Sequence, residues 1–119
     1  MRYTLFVLAI LFSLTSCNEK LNANLTKTSP DGKTKIAING KKQVSGDAFH
    51  TTMTVKSGDI PEGSIIFEIY AADLNDENVK FDWSDAHHAM ISFTQSDNEK
   101  RVFSLLATET NVVVEEVKQ

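Results

Sequence analysis

One cysteine and two prolines stand in a chain of 119 residues, and the shortages exclude several chemistries. The single thiol, Cys17, can neither close a disulfide within the chain nor build a cysteine zinc site. No glycine-rich phosphate loop and no glycine-flanked nucleophile elbow occurs in the sequence. Basic residues do not cluster beyond Lys41-Lys42 and the formal charge is -4, so nucleic acid is not an expected partner. The longest apolar run, residues 5–12, is too short to cross a bilayer, which takes roughly 20 apolar residues. No internal repeat is evident.

What is present begins with a signal-peptide layout: Arg2, the apolar stretch 5–12, then small and polar residues before Cys17. The run Leu14-Thr15-Ser16-Cys17 resembles the lipobox of bacterial lipoproteins. That resemblance implies residues 1–16 as a signal peptide and Cys17 as the lipidated first residue of the mature chain. The other reading is an ordinary secretory signal that leaves Cys17 as an unpaired thiol. Several acyl chains on one residue make a stable anchor, since each buried methylene contributes about 0.8 kcal/mol. By the same resemblance, Asn18 rather than aspartate after the cysteine implies the outer membrane. Surface-exported lipoproteins of Bacteroidota look similar but carry several acids there, and this chain has Glu19 and then Lys20, so either leaflet stays open.

Arg2 leaves with the signal and no acid does, so the mature chain is one unit more negative than -4. Lipidation would also consume its only thiol. A small secreted domain without disulfides has to cohere by apolar burial, and the aromatic and branched residues after position 30 suit that demand. Residues 17–28 are read as the lipidated cysteine and a polar tether, whose end could pair as a short strand, and 29–119 as one all-β domain. About ten extended residues could hold the domain up to about 35 Å from the lipid.

Ser29-Pro30-Asp31-Gly32-Lys33 is a turn signal, since proline presets φ and glycine accepts the left-handed conformation. It predicts a strand over 34–38. Asn39-Gly40 is the dipeptide of two-residue hairpins, and 41–47 is the edge strand that would follow it. Alternation over 48–56 puts Phe49, Thr51, Met53 and Val55 on one face. Over 64–70 it sets Ile65, Phe67 and Ile69 against Ile66, Glu68 and Tyr70. Residues 71–78 are polar and acidic, room for one helical turn.

In the last forty residues alternation sets the register. A five-residue loop at 84–88 places Trp83 opposite Ala89, Phe81 opposite Ile91 and Val79 opposite Phe93. A loop of equal length at 96–100 puts Phe103 and Leu105 opposite Phe93 and Ile91. Loop 108–111 then returns Val112 and Val114 against Ala107 and Leu105. The reverse face of this meander carries Met90, Val102, Leu106, Val113 and Val117, too apolar for a solvated face, and predicts cover by the tether, a loop or a partner. Its aromatic face should pack on a second sheet built from the strands at 34, 48 and 64. The expected fold is a small antiparallel β-sandwich, immunoglobulin-like topology being one wiring for it and a partly open β-barrel the alternative.

Chemistry-bearing groups are few. Asp82, Asp85, His87 and His88 fall on one hairpin and are the candidate metal ligands, with His50 as an addition, although the spacing matches no named motif. A polar turn whose side chains cap its own backbone is the plainer reading of them. Asp73-Leu74-Asn75-Asp76-Glu77-Asn78 begins like a calcium loop but lacks the glycine and the closing glutamate. Glu115 and Glu116 alternate across a strand and cannot act as a carboxylate couple. Trp83 and Phe81 could line a groove but are needed for a core this small, and Tyr70 is the better exposed contact. The sequon Asn24-Leu25-Thr26 would matter only in a eukaryotic secretory route.

The function expected from these residues is that of a lipid-anchored envelope protein, non-catalytic and without a cofactor, that binds an envelope protein or a glycan. The alternatives are a metal-binding or hydrolytic site around Asp82, Asp85, His87 and His88, and a structural spacer.

Overall fold

The computed structural model describes residues 20–118. Eight strands follow one another: β1 (Asn22–Thr28), β2 (Thr34–Lys41), β3 (Phe49–Ser57), β4 (Gly63–Ile69), β5 (Val79–Asp85), β6 (His88–Thr94), β7 (Lys100–Ala107) and β8 (Val112–Val117). They make two four-stranded antiparallel sheets in the orders β1-β2-β3-β4 and β5-β6-β7-β8. The sheets pack face to face as the expected sandwich, and the barrel alternative fails because the sheets do not close on each other. The immunoglobulin-like wiring fails too: each sheet is a simple meander, whereas that fold exchanges strands between its sheets.

Alternation builds the core. Ile36 and Ile38 from β2, Phe49, Met53 and Val55 from β3, and Ile69 from β4 are fully buried against Ile91, Phe93, Phe103 and Leu105 of the other sheet. The ring of Phe67 stands 5.1 Å from that of Phe93 and 4.2 Å from that of Phe103, tying the sheets together. Phe81 and Trp83 pack against this core from its margin and stay half-exposed.

Four sequence expectations about local structure are corrected. Residues 22–28 are a full edge strand, paired from Asn22↔Lys41 to Thr28↔Lys35, so the domain starts before position 29 and little of the tether is left. Only Ala23 and Leu25 of this edge strand pack on the core, too few apolar residues for a clear alternation. Asn39-Gly40 lies inside β2 rather than in a hairpin turn, with Gly40 paired to Ala23 on one side and Thr51 on the other. A Cβ at Gly40 would meet Leu74 Cδ1 at 2.7 Å and Phe49 Cδ1 at 3.1 Å, so glycine here allows a close approach. Residues 42–48 are consequently the loop, not an edge strand.

The fourth correction is register. The β5–β6 pairing is the expected one, Trp83↔Ala89, Phe81↔Ile91 and Val79↔Phe93, although an irregularity between Trp83 and Asp85 lets the strands run on to Asp85↔His88. The β7–β8 pairing also agrees. Between β6 and β7, however, Phe103 lies opposite Ile91 and Leu105 opposite Ala89, two residues from the predicted partners. Asn98 takes a left-handed φ of 68°, its N–H donates to Gln95 O at 2.9 Å, and Gln95 N–H donates to Glu99 O at 2.9 Å. That is a three-residue turn with its bulge residue in αL, tighter than the predicted loop. A slip of two keeps every face assignment but brings Arg101 opposite Phe93.

The strands all run between two poles. One pole collects the start of β1, loop 42–48, connection 70–78, turn 95–99 and the end of β8; it is the terminal pole. The distal pole collects loops 29–33, 58–62, 86–87 and 108–111. Connection 70–78 makes the single turn expected there, Asn75 O accepting from Val79 N–H at 2.9 Å and from Asn78 N–H at 3.3 Å, and crosses from one sheet to the other over the terminal pole. It is fastened there by Leu74, which is buried, by Lys20 to Asp73 at 3.1 Å, by Lys27 to Asp76 at 2.6 Å, and by Lys42 Nζ donating to Ala71 O at 2.8 Å. Lys42 is itself buried, its ammonium 4.5 Å from the Phe49 ring centroid.

Candidate functional site

At the distal pole the four loops surround a cleft of about 380 Å³ between the sheet ends, lined by Lys33, Asp59, Ile60, His87, Thr108 and Glu109 among others. Each wall is fixed by local hydrogen bonds. Asp31 accepts from Ser29 Oγ at 2.6 Å and from Lys33 N–H at 3.0 Å, which holds its carboxyl below the ordinary range, the Ser29 hydroxyl contributing most. Asp85 Oδ1 accepts from His87 N–H at 2.7 Å, and Ala107 N–H donates to His87 O at 2.8 Å. Thr108 Oγ1 bonds Asn111 O at 3.0 Å and Asn111 Oδ1 at 2.6 Å. The other lining hydroxyl, Ser57 Oγ, lies 2.9 Å from Thr34 Oγ1 in a buried pair. Both hydroxyls are therefore turned to structural partners and neither is presented to His87 as a nucleophile.

The metal candidates separate. Asp82 lies opposite Met90 on the outer face of the second sheet, Asp85 caps the turn as above, His87 enters the distal cleft, and His88 Nδ1 is 2.9 Å from Ser84 Oγ. His50 is on the other sheet, 3.2 Å from Glu68 Oε1. Among the described residues no group of three or more His, Asp or Glu side chains converges as a metal site would require. In the calcium-like stretch the side-chain oxygens serve the connection itself: Asn75 Nδ2 donates to Asp73 Oδ2 at 3.1 Å, and Asn78 Oδ1 accepts from Asn75 N–H at 2.9 Å. Cys17 lies outside the described residues.

Comparison of the chain with protein-family models, with curated proteins and with solved structures finds no match. The surfaces therefore have to speak for themselves.

The two outer faces differ in kind. The first sheet presents Asn24, Thr26, Lys35, Asn39, Thr52, Thr54 and Lys56, with Ile66, 77% exposed, as a single apolar residue among them and Tyr70 just past the end of β4. On the second sheet Leu106 sits beside Val113 and Val102 beside Val117, with Met90, Ser104 and Glu115 in the row between. Leu106 and Val113 are 45% and 40% exposed. The expected cover by the tether does not come from residues 22–28, which are occupied in the opposite sheet.

Arg101 is the residue that alternation alone does not find. It projects from the inner face of β7, its guanidinium 5.6 Å from the Phe67 ring centroid and 5.7 Å from that of Phe103. From there it bonds Glu116 and the carbonyl of Glu68.

Proposed function

We propose that this chain is a lipid-anchored protein of a bacterial envelope, tethered through Cys17, whose sandwich is a non-catalytic module for binding another envelope protein. The lipobox resemblance supports the anchor, and Asn18 supports the outer membrane. The placement of β1 adds a geometric consequence. With the sheet starting at Asn22, residues 18–21 are all that separates Cys17 from the fold, a reach of at most about 18 Å. The terminal pole then lies against the lipid and the distal pole faces away.

The observation that carries the binding role is the contrast between the two outer faces. A domain that met only water on both sides would have no reason to expose two cross-strand apolar pairs on one sheet and a Thr/Asn surface on the other. The Leu106–Val113 and Val102–Val117 pairs suit a partner's apolar ridge, and Glu115 between them suits a cation on it.

The test is photo-crosslinking in native membranes. A crosslinking residue at Leu106 or Val113 should capture one discrete envelope protein, and the same residue at Thr52 or Lys35 should not. Equal capture from both faces, or none from either, refutes the reading. For the anchor, Cys17→Ala should stay unprocessed and take up no lipid label; a variant that is processed normally and stays in the membrane fraction refutes it.

A further inference from the structure

The residue that follows β4 sets up a second site, at the opposite end of the sandwich from the distal cleft. Tyr70 is 55% exposed, yet its main chain is held by three hydrogen bonds. Its N–H donates to Gln95 Oε1 at 3.1 Å, and its carbonyl accepts from Ser96 N–H at 2.8 Å and from Ser96 Oγ at 3.2 Å. The base of the side chain is thereby anchored to the β6–β7 turn while the ring projects to solvent.

Two clefts border this residue. One, of about 330 Å³, is bounded by Gln43, Asp47, Ala48, His50, Glu68 and Tyr70. The other, of about 250 Å³, is bounded by Lys42, Gly46, Asp47, Tyr70, Ala71 and Ser96. Tyr70 and Asp47 line both, so the two small basins adjoin at this pair and share a carboxylate. We propose that Tyr70 and its two clefts bind a short neutral oligosaccharide, one sugar ring to each cleft.

Chemistry selects that ligand class. The lining of the first cleft is nearly all polar, unlike a site for an apolar small molecule, which is walled mainly by hydrophobic side chains. It combines a carboxylate acceptor at Asp47, an amide that both donates and accepts at Gln43, and an imidazole at His50 whose Nδ1 already faces Glu68 Oε1 at 3.2 Å, leaving Nε2 for a ligand. A sugar ring presents hydroxyls around its rim, which such groups match, and C–H bonds on its flat face, which the electron-rich face of a phenol attracts. The carboxylates of Asp47 and Glu68 outnumber the one ammonium in the lining, that of Lys42, so an acidic sugar is disfavoured. Each basin is at or below the small end of ligand-pocket volumes, about 300 Å³, which fits single rings and not a protein surface. The site lies at the terminal pole, the end that the proposed anchor turns toward the membrane, and on the sheet opposite the apolar face; its ligand class follows from its own lining.

The test uses the full chain in detergent micelles, titrated with maltotetraose, cellotetraose and chitotetraose, and with tetragalacturonate as the acidic probe, while Tyr70 and His50 ring signals are followed by NMR. At least one neutral probe should bind saturably and shift both rings, and tetragalacturonate should bind more weakly. Tyr70→Ala should weaken that binding about threefold to tenfold, Tyr70→Phe should retain most of it, and Asp47→Asn should weaken it. Thermal melting of the variants, expected to match the parent because these side chains are exposed, separates lost binding from lost folding. The proposal is overturned if no neutral probe binds at 10 mM, on the order of the weakest useful affinity, or if a folded Tyr70→Ala binds as the parent does.

Discussion

Arg101 on β7 and Glu116 on β8 form a two-pronged pair, Nε to Oε2 at 2.8 Å and Nη2 to Oε1 at 2.6 Å, while Nη1 donates to the carbonyl of Glu68 on the facing sheet. One side chain thus closes the end of the aromatic cluster and joins β4 to β7 and β8. Because the pair is only partly shielded, with side chains 27% and 39% exposed, its own worth is modest. Arg101→Met should cost about 1–2 kcal/mol by denaturant unfolding, and Glu116→Gln about 0.5–1 kcal/mol. The double variant should cost less than the sum, since the two changes remove one shared contact. Strict additivity would show that the pair is ornamental.

Gly40 is fixed by what lies over it. Leu74 is the only large apolar side chain that connection 70–78 sends into the core, and a methyl group on residue 40 would strike its Cδ1 at 2.7 Å. Gly40→Ala should therefore destabilise by about 1–3 kcal/mol, the usual cost of overpacking, despite alanine's lower entropy cost in a strand. Leu74→Ala in the same chain should recover part of that loss, so the double variant is less unstable than the single effects predict. If Gly40→Ala alone is neutral, the close approach is not a constraint.

Acid should loosen the terminal pole. Partial burial of Asp73 opposes its ionisation, but hydrogen bonds from Lys20, the Leu74 N–H and Asn75 outweigh it, and the carboxyl sits below its ordinary pKa. A carboxyl lowered in the folded state stabilises the protein above its unfolded pKa of about 3.9, and that contribution is lost as pH falls through the folded value. Glu116 is lowered by its hydrogen bonds to Arg101 and carries the same sign. Asp73→Asn should cost about 0.5–1 kcal/mol at neutral pH and flatten the fall in stability below about pH 4. Unfolding curves from pH 7 to 3 that run parallel for parent and variant would contradict this.

The sequence foretold best what alternation alone decides. Trp83, Phe81 and Val79 found their partners across β5 and β6 because both strands alternate without interruption. Every face of the second sheet was assignable for the same reason. β1 was legible only in part, since an edge strand needs apolar residues on half of one face and Ala23 and Leu25 barely supply them. Lys42 and Arg101 escaped because a charge buried by its aliphatic stem and paired at its tip looks, in sequence, like a surface residue. The candidate ligands Asp82, Asp85, His87 and His88 were near in sequence, but a strand sends neighbours to opposite faces and a tight turn splays the rest. Tyr70 was readable as an exposed contact; its flanking clefts were not, because they are assembled from the separate segments 42–50, 68–71 and 96.

Asn98 decides the register that the sequence left two residues out. Its φ of 68° is a conformation asparagine tolerates better than other non-glycine residues, and a β-branched side chain tolerates poorly. Asn98→Gly should be neutral or stabilise by a few tenths of a kcal/mol, Asn98→Ala should cost about 1 kcal/mol, and Asn98→Val about 1–2 kcal/mol. The stability order is read by denaturant unfolding, and the register by cross-strand Hα contacts between β6 and β7. In the glycine variant Ile91 must still face Phe103, as it does here. If valine were as stable as asparagine, the left-handed turn residue would not be what sets this hairpin, and the alignment of Arg101 with Phe93, on which the core's closure depends, would need another cause.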